Sequence, residues 1–423
     1  MLLTREGCTL RPRTKQFAVG ALAVAICTPL VGAQTSPRGR WIATWTASMF
    51  LVPPRNVLQV SGQTIRQLAT VTLGGDRVRI RLSNEYGERP LKVGGASIAL
   101  ADTGSTIIDG SSRSITFGGQ PSIVVRSGAV VVSDPVAWRI PALATVAVSL
   151  FFPDTAFEST LAVASPQISY TSVPGIFAAA STFPVEWGRA VWMFLTGIDI
   201  DNPRGRGAIV ALGSSSTGGT GPGMSAGARW PDVLARRLHE SPEGARMSVL
   251  TATINGNQLL ANHRTTPALG RFNRDVLGQP GVTHVIVLEG NNDIAMGAIS
   301  SSEPVTAADV IFGLTQIATR AHDHGLAAIV GTLPPFGGAT YDTSARAYGP
   351  EAEAIRRDVN TWIRGNIVFD GVIDFDACVR DSAYPTRLRA SYDYGDHIHF
   401  NDAGFRAMGE CVDLRLFSSG KRR

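Results

Sequence analysis

The sequence predicts a two-part α and β protein: an antiparallel β-rich region, then an α/β region built on a parallel sheet. Three observations carry this. Period-two alternation dominates residues 41 to 198, where no helical stripe stands out. Short apolar runs alternate with helical patterns from about residue 205. Polar clusters then follow the ends of several of those runs.

In the first region, "DRVRIRLSN" places Val78, Ile80 and Leu82 on one face and Arg77, Arg79 and Arg81 on the other, the signature of a half-buried strand. "ATVAVSLFF" does the same with Val146, Val148, Leu150 and Phe152. Turn signals such as "GGD" (74–76), "NEYG" (84–87) and "DTG" (102–104) separate such runs. Residues 40–200 are therefore expected to form a β-sandwich or jelly roll. Trp187 and Trp192, in "EWGRAVWMFL", could stack on sugars but fit a core better.

In the second region, residues 205–417, five apolar runs read as strands: 208–213, 247–254, 284–290, 327–333 and 366–375. Helical patterns at 229–240, 306–325 and 351–365 lie between them. Thr306 and Asp309 have capping-box spacing, and Gly325 is a stop signal. Such alternation means parallel strands with helices on both faces, and ligands bind at the carboxyl ends of those strands.

Residues 1–33 stand apart. Arg5, Arg11, Arg13 and Lys15 precede an apolar run from Phe17 to Val31, and "VGA" ends it with small residues. The pattern is that of a secretory signal peptide cut after Ala33, too short for a comfortable membrane span. Removing it takes +3 of the formal +5 charge, leaving +2, which gives little drive toward nucleic acid. No stable membrane insertion is expected after cleavage, and the basic end "GKRR" reads as a solvated tail. Cys8 and Cys27 leave with the signal. The remaining pair, Cys378 and Cys411, predicts one disulfide in a secreted or periplasmic protein.

Four polar clusters follow the strand ends: Ser214, Ser215 and Ser216; Asn255, Gly256 and Asn257; Gly290, Asn291, Asn292 and Asp293; and "YGDHIHFND" (394–402). Together they supply what acyl transfer needs. A serine is a weak nucleophile that requires a base. His399 is that candidate, with His397 its competitor, and Asp396 three residues earlier can hold the imidazole tautomer. An oxyanion needs donors. The N–H of Gly256 is unobstructed by a side chain, and the Asn292 amide and the nucleophile's own N–H can join it. The base must be neutral histidine, so activity is expected to rise with pH through the imidazole range. Asp293 is expected to cap or bond locally.

Other patterns carry less. "HDH" (322–324) and "HIH" (397–399) have metal-ligand residue types, yet the first sits at a helix end where histidines commonly face solvent, and neither a metal nor another cofactor is expected. "GGTGPG" (218–223) lacks the Lys-Ser/Thr ending of a phosphate loop. An α/β-hydrolase elbow expects glycine where Thr217 stands.

"GSSSTGG", "INGNQLL", "GNND" and "DHIHFN", in that order, resemble the four blocks of the SGNH hydrolases, the GDSL esterase/lipase superfamily. The resemblance covers about 207–415. "WIATWTAS", "GGDRVRIRLSNEYG" and "FLTGIDI" further resemble the β-rich N-terminal domain of a secreted two-domain branch. It implies a flavodoxin-like αβα hydrolase domain and a serine esterase. Site residues follow: Ser215 as nucleophile and first oxyanion donor, Gly256 and Asn292 as the other donors, His399 as base and Asp396 as its orienter. The substrate implied is a small-molecule or polysaccharide ester, with short acyl groups favoured over lipid because no long apolar lid separates the blocks. One position departs: the family usually has aspartate before the nucleophile, and here Ser214 stands there, which raises the alternative of a weakened, glycan-binding protein. Ser216 replaces the usual isoleucine.

Overall fold

The computed structural model describes residues 39–53, 59–163, 167–220, 225–242, 246–262, 265–299, 304–339, 348–365 and 367–418. The expected signal segment 1–33, residues 221–223 of the glycine-rich run and the "GKRR" end lie outside the described residues. Residues 39–423 form one compact unit.

The β-rich part is antiparallel throughout. One sheet carries β1 (Trp41–Thr46), and another carries β2 (Gln63–Thr70). β3 (Gly75–Ser83) belongs to the first sheet and β4 (Gly95–Leu100) to the second, as does β5 (Thr145–Phe152). β6 (Ser169–Ser172) flanks β2, and β7 (Leu195–Asp201) lies between β1 and β3. Val78, Ile80 and Leu82 face the core, as the alternation requires. The arginines of β3 do not simply face water. They meet acids of the neighbouring strand: Arg79 Nε lies 3.0 Å and Arg81 Nε 3.1 Å from the buried Asp199 carboxylate, and Arg77 pairs with Asp201. Opposite charges on facing strands fix register. On β5 both faces are buried, because Ala147 and Ser149 are covered as well as the valines. Trp192 is a core residue, stacked edge-on at 5.0 Å from Trp45 and donating to the Leu68 carbonyl at 2.8 Å; Trp187 packs half-buried against the same core.

The second part is a parallel sheet of β8 (Gly207–Gly213), β9 (Met247–Thr253), β10 (Val282–Leu288), β11 (Ala327–Gly331) and β12 (Gly371–Ile373), in spatial order β9-β8-β10-β11-β12. This is the doubly wound 2-1-3-4-5 order, whose switch point lies between the first and third strands. The last strand is shorter than the apolar run 366–375 predicts. Asp374 caps the helix that follows, accepting from Ala377 N–H, so the chain leaves the sheet after Ile373.

Helices cover the sheet: α1 (Ser215–Gly218), α2 (Trp230–Glu240), α3 (Ala268–Phe272), α4 (Asn291–Ile299), α5 (Ala307–Asp323), α6 (Pro350–Gly365), α7 (Phe375–Val379) and α8 (Asp402–Cys411). Thr306 and Asp309 form the expected capping box on α5. α3 runs on into a wider π turn, Asn273–Leu277. A Cys378–Cys411 disulfide joins α7 to α8.

β9 is an edge strand of the parallel sheet, and an open edge invites stray pairing. The β-rich part covers it. Thr72 Oγ1 donates to the Val249 carbonyl at 3.1 Å and accepts the Val249 N–H at 3.0 Å, while Ser248 Oγ donates to the Ala43 carbonyl at 2.6 Å. Ile42, Ala43 and Leu73 are buried in the same core as the parallel strands. The two parts therefore share apolar core as well as hydrogen bonds.

Candidate active site

Each block sits where a parallel strand ends or in the loop after the last one. Beyond β8 the chain turns at once into α1, with the N–H groups of Thr217 and Gly218 both donating to the Ser214 carbonyl at 3.0 and 2.8 Å. The turn is packed hard against β9: a Cβ on Gly218 would stand 2.5 Å from Thr253 Oγ1. All three serines are buried. Ser214 occupies the N-cap position of α1, but its side chain makes no capping bond.

Beyond β9, Asn257 N–H donates to the Ile254 carbonyl at 3.0 Å, and Gly256 has φ of 73°. A four-residue turn with a left-handed third residue demands glycine there. A Cβ on Gly256 would meet nothing within 4 Å, so backbone conformation, not crowding by protein atoms, sets the residue. Asn255 Nδ2 reaches Thr220 Oγ1 at 2.9 Å and ties this turn to the serine loop.

Beyond β10, Asn292 Nδ2 donates to the Asn257 carbonyl at 2.8 Å. Asp293 does more than the local bonding expected of it. Besides its own backbone N–H, its carboxylate accepts the N–H groups of Leu259 at 2.7 Å and Leu260 at 2.9 Å, more than thirty residues away in sequence. The carboxylate thus clamps the glycine block to the asparagine block. Burial raises its pKa to about 6, against the three backbone N–H bonds, from Leu259, Leu260 and its own residue, that pull it down.

In the loop before α8, His399 Nε2 lies 2.9 Å from Ser215 Oγ, and its Nδ1 lies 2.6 Å from Asp396 Oδ2. Asp396 Oδ1 accepts the N–H of His399 at 2.9 Å and of Ile398 at 3.2 Å. Partial burial pulls the Asp396 pKa upward, but the His399 ring and these N–H groups outweigh it and hold it at about 2. Ser215, His399 and Asp396 are therefore one hydrogen-bonded chain, and Gly256 and Asn292 meet at the neighbouring strand ends. His397 is turned elsewhere: with φ of 67° it sets its Nδ1 2.5 Å from Asp393 Oδ2 and is half exposed.

The other histidine pair is dispersed. His322 Nε2 lies 2.8 Å from Asp370, and His324 Nδ1 lies 3.0 Å from the Arg320 carbonyl. Among the described residues, no three His, Cys, Asp or Glu side chains gather as a metal site.

One residue beneath the site escaped the sequence reading. Arg271, on α3, is fully buried. Its Nη2 donates to the Gly213 carbonyl at 3.0 Å and its Nε to Asn257 Oδ1 at 2.8 Å. "ALGRFNRDVL" looks like an ordinary helical surface, where arginine is nearly always exposed. Asp275, four residues on, is the one local hint; the other acid, Glu289, lies 18 residues away.

Comparison with known proteins gives the following. Residues 211–407 match the GDSL-like lipase/acylhydrolase family. No curated protein matches the chain. Among solved structures, an aryl esterase of M. smegmatis is 17% identical, over 48% of this chain and 95% of its own, at a TM-score of 0.39. A carbohydrate acetylesterase family member from Sinorhizobium meliloti is 16% identical, over 48% and 94%, at 0.38. A GDSL-like lipase from Bacteroides thetaiotaomicron is 14% identical, over 50% and 88%, at 0.36. The C-terminal half of the chain, over residues 211–407, is a GDSL-like lipase/acylhydrolase domain.

Proposed function

We propose that the protein is a secreted or periplasmic serine esterase that hydrolyses carboxylic esters of small molecules or carbohydrates, with short acyl groups such as acetyl preferred. The observation that carries the reading is the 2.9 Å contact between Ser215 Oγ and His399 Nε2, continued at 2.6 Å to Asp396. Ser215 Oγ attacks the ester carbonyl carbon while its proton passes to His399 Nε2. The negative oxygen is received by the N–H groups of Ser215 and Gly256 and by the Asn292 amide. Collapse expels the alcohol, which takes the proton from His399, and leaves Ser215 acylated. Water, deprotonated by the same imidazole, then releases the acid and restores the serine. Asp396 stays ionised across the working range and holds the ring tautomer.

The acyl preference follows from the sequence, in which no long apolar lid segment separates the blocks. Replacing Ser215 or His399 by alanine and assaying p-nitrophenyl acetate tests the assignment. Loss of about 10⁴-fold or more in kcat is expected for each; full activity in either variant sinks it. A chain-length series beside acetylated polysaccharides tests the substrate class, and an optimum at long chains would favour a lipase or phospholipase. The uncapped Ser214 favours a second reading, a glycan-binding protein with a decayed centre, in which Ser215 would not react with a fluorophosphonate.

A further inference from the structure

Arg271 is surrounded by acceptors from four separate segments. Nη1 donates to the Ala252 carbonyl at the end of β9 (3.0 Å) and to Asp275 Oδ2 in the π turn (2.9 Å). Nη2 donates to the Gly213 carbonyl at the end of β8 (3.0 Å) and approaches Glu289 Oε1 just past β10 (3.3 Å). Nε donates to Asn257 Oδ1 (2.8 Å). Every N–H of the fork has an acceptor, and the planar geometry fixes the acceptors relative to one another. Gly213 is two residues before Ser215. Asn257 follows Gly256, and its carbonyl holds the Asn292 amide. One buried cation thus joins the ends of the three adjoining strands that carry the serine, glycine and asparagine blocks.

The β-rich part reaches the same group. Ser48 Oγ lies 3.5 Å from Arg271 Nη1. Asp275 is also gripped by Arg274 at 2.6 and 3.2 Å, and Arg274 in turn donates to Glu85 Oε2 at 3.1 Å and Tyr86 Oη at 2.7 Å. A chain of contacts therefore runs from Glu85 and Tyr86 through Arg274, Asp275 and Arg271 to the loops around Ser215.

We propose that Arg271 is a positioning residue for ester hydrolysis: it keeps Ser215 in register with the Gly256 and Asn292 donors, and through it the β-rich part supports turnover. This rests on the reading of Ser215 as nucleophile. Arg271 touches no substrate. Its effect lies in geometry, where a displacement on the order of 1 Å can cost about 10²-fold.

The test compares Arg271→Lys, which keeps the charge but loses the fork, with Asn257→Ala, which leaves the guanidinium and both carboxylates in place. Serines are titrated with a fluorophosphonate so that kcat is expressed per reactive site, and Tm is followed in parallel. Arg271→Lys should lose about 10- to 100-fold in kcat per site, with KM changed less than about threefold. Asn257→Ala should lose less, in the same sense. Should Arg271→Lys fail to fold, Asn257→Ala decides alone. Arg274→Gln should lower kcat by a smaller factor, since it removes the link to the β-rich part. A merely structural role would lower Tm and the titratable fraction while leaving kcat per site untouched, and that result overturns the inference. Wild-type protein that fails to label at Ser215 takes the esterase reading down with it; labelled wild type with unchanged variants overturns this inference alone.

Discussion

Asn292 holds the carbonyl of Asn257 through its side-chain Nδ2 at 2.8 Å, so the amide of one block is oriented by the backbone of another. A carboxamide nitrogen carries two protons. One is committed to Asn257, which fixes the plane of the amide and leaves the second with a set direction. Preorganised donors of this kind need no reordering as charge develops on an oxyanion.

Asn292→Ala should therefore lower kcat by about 10²–10³-fold with little change in KM. Asn292→Asp should be at least as damaging, because a carboxylate would face the Asn257 carbonyl with no proton to give. Steady-state kinetics on a p-nitrophenyl ester checks both. A kcat within about threefold of wild type for Asn292→Ala would remove this residue from the donor set.

The buried carboxylates give a pH-dependent stability with a definite sign. Burial raises Glu289 well above its usual range, with Asp293 adding repulsion and Arg271 opposing. Burial also lifts Asp293 to about 6. A raised carboxyl pKa means that the unfolded chain ionises first, so stability falls as pH rises from the unfolded value toward the folded one. Between pH 4 and 6 the wild-type protein should lose stability from this source. Glu289→Gln keeps an acceptor for Arg271 and cannot ionise, so its Tm should gain on wild type as pH rises. Thermal melts of both proteins from pH 4.5 to 8 check this. Parallel curves would show that Glu289 does not resist ionisation.

The disulfide encloses the loop that carries Asp396 and His399, since Cys378 and Cys411 lie on either side of it. Closing a loop of 33 residues contributes about 3–4 kcal/mol in the chain-entropy model. Cys378→Ala with Cys411→Ala, or reduction of the native protein, should lower Tm by several degrees and shorten the activity half-life on heating. Calorimetry with and without reductant checks it. An unchanged Tm would show that α7 and α8 are held by packing alone.

How much of this was legible in the sequence differs by residue. Ser215, Gly256 and Asn292 each sit in a short polar cluster just past an apolar run, and strand-end position is a local signal; Asp396 and His399 lie in the long loop before α8, where their three-residue spacing is the local signal. The alternation of β3 was equally local, down to Val78, Ile80 and Leu82. What local patterning does not carry is partnership across the chain. Asp293 reads as a capping acid until its donors, the N–H groups of Leu259 and Leu260, are known. Arg271 reads as helix surface until Gly213, Asn257 and Glu289 are placed round it. The covering of β9 by Thr72 depends on a contact between residues 177 apart in sequence. The short β12 was misjudged because the apolar character of 366–375 continues past the point where Asp374 caps a helix.

Ser214 stands at the N-cap of α1 with φ −112° and ψ −148°, and no side-chain capping bond. Aspartate and asparagine both cap well, by accepting an N–H of the second or third helical residue, and a new cap contributes about 0.5–2 kcal/mol. The two differ in charge. Ser214→Asn and Ser214→Asp should both raise Tm if the position calls for an acceptor that steadies the serine loop. If a negative charge beside the Ser215–His399 pair matters as well, Ser214→Asp alone should raise kcat, since a nearby anion favours the imidazolium that forms as the serine loses its proton. Melting curves and kcat for the pair separate capping from charge, and a lower Tm in both would mean that this buried turn is already closed to any larger side chain.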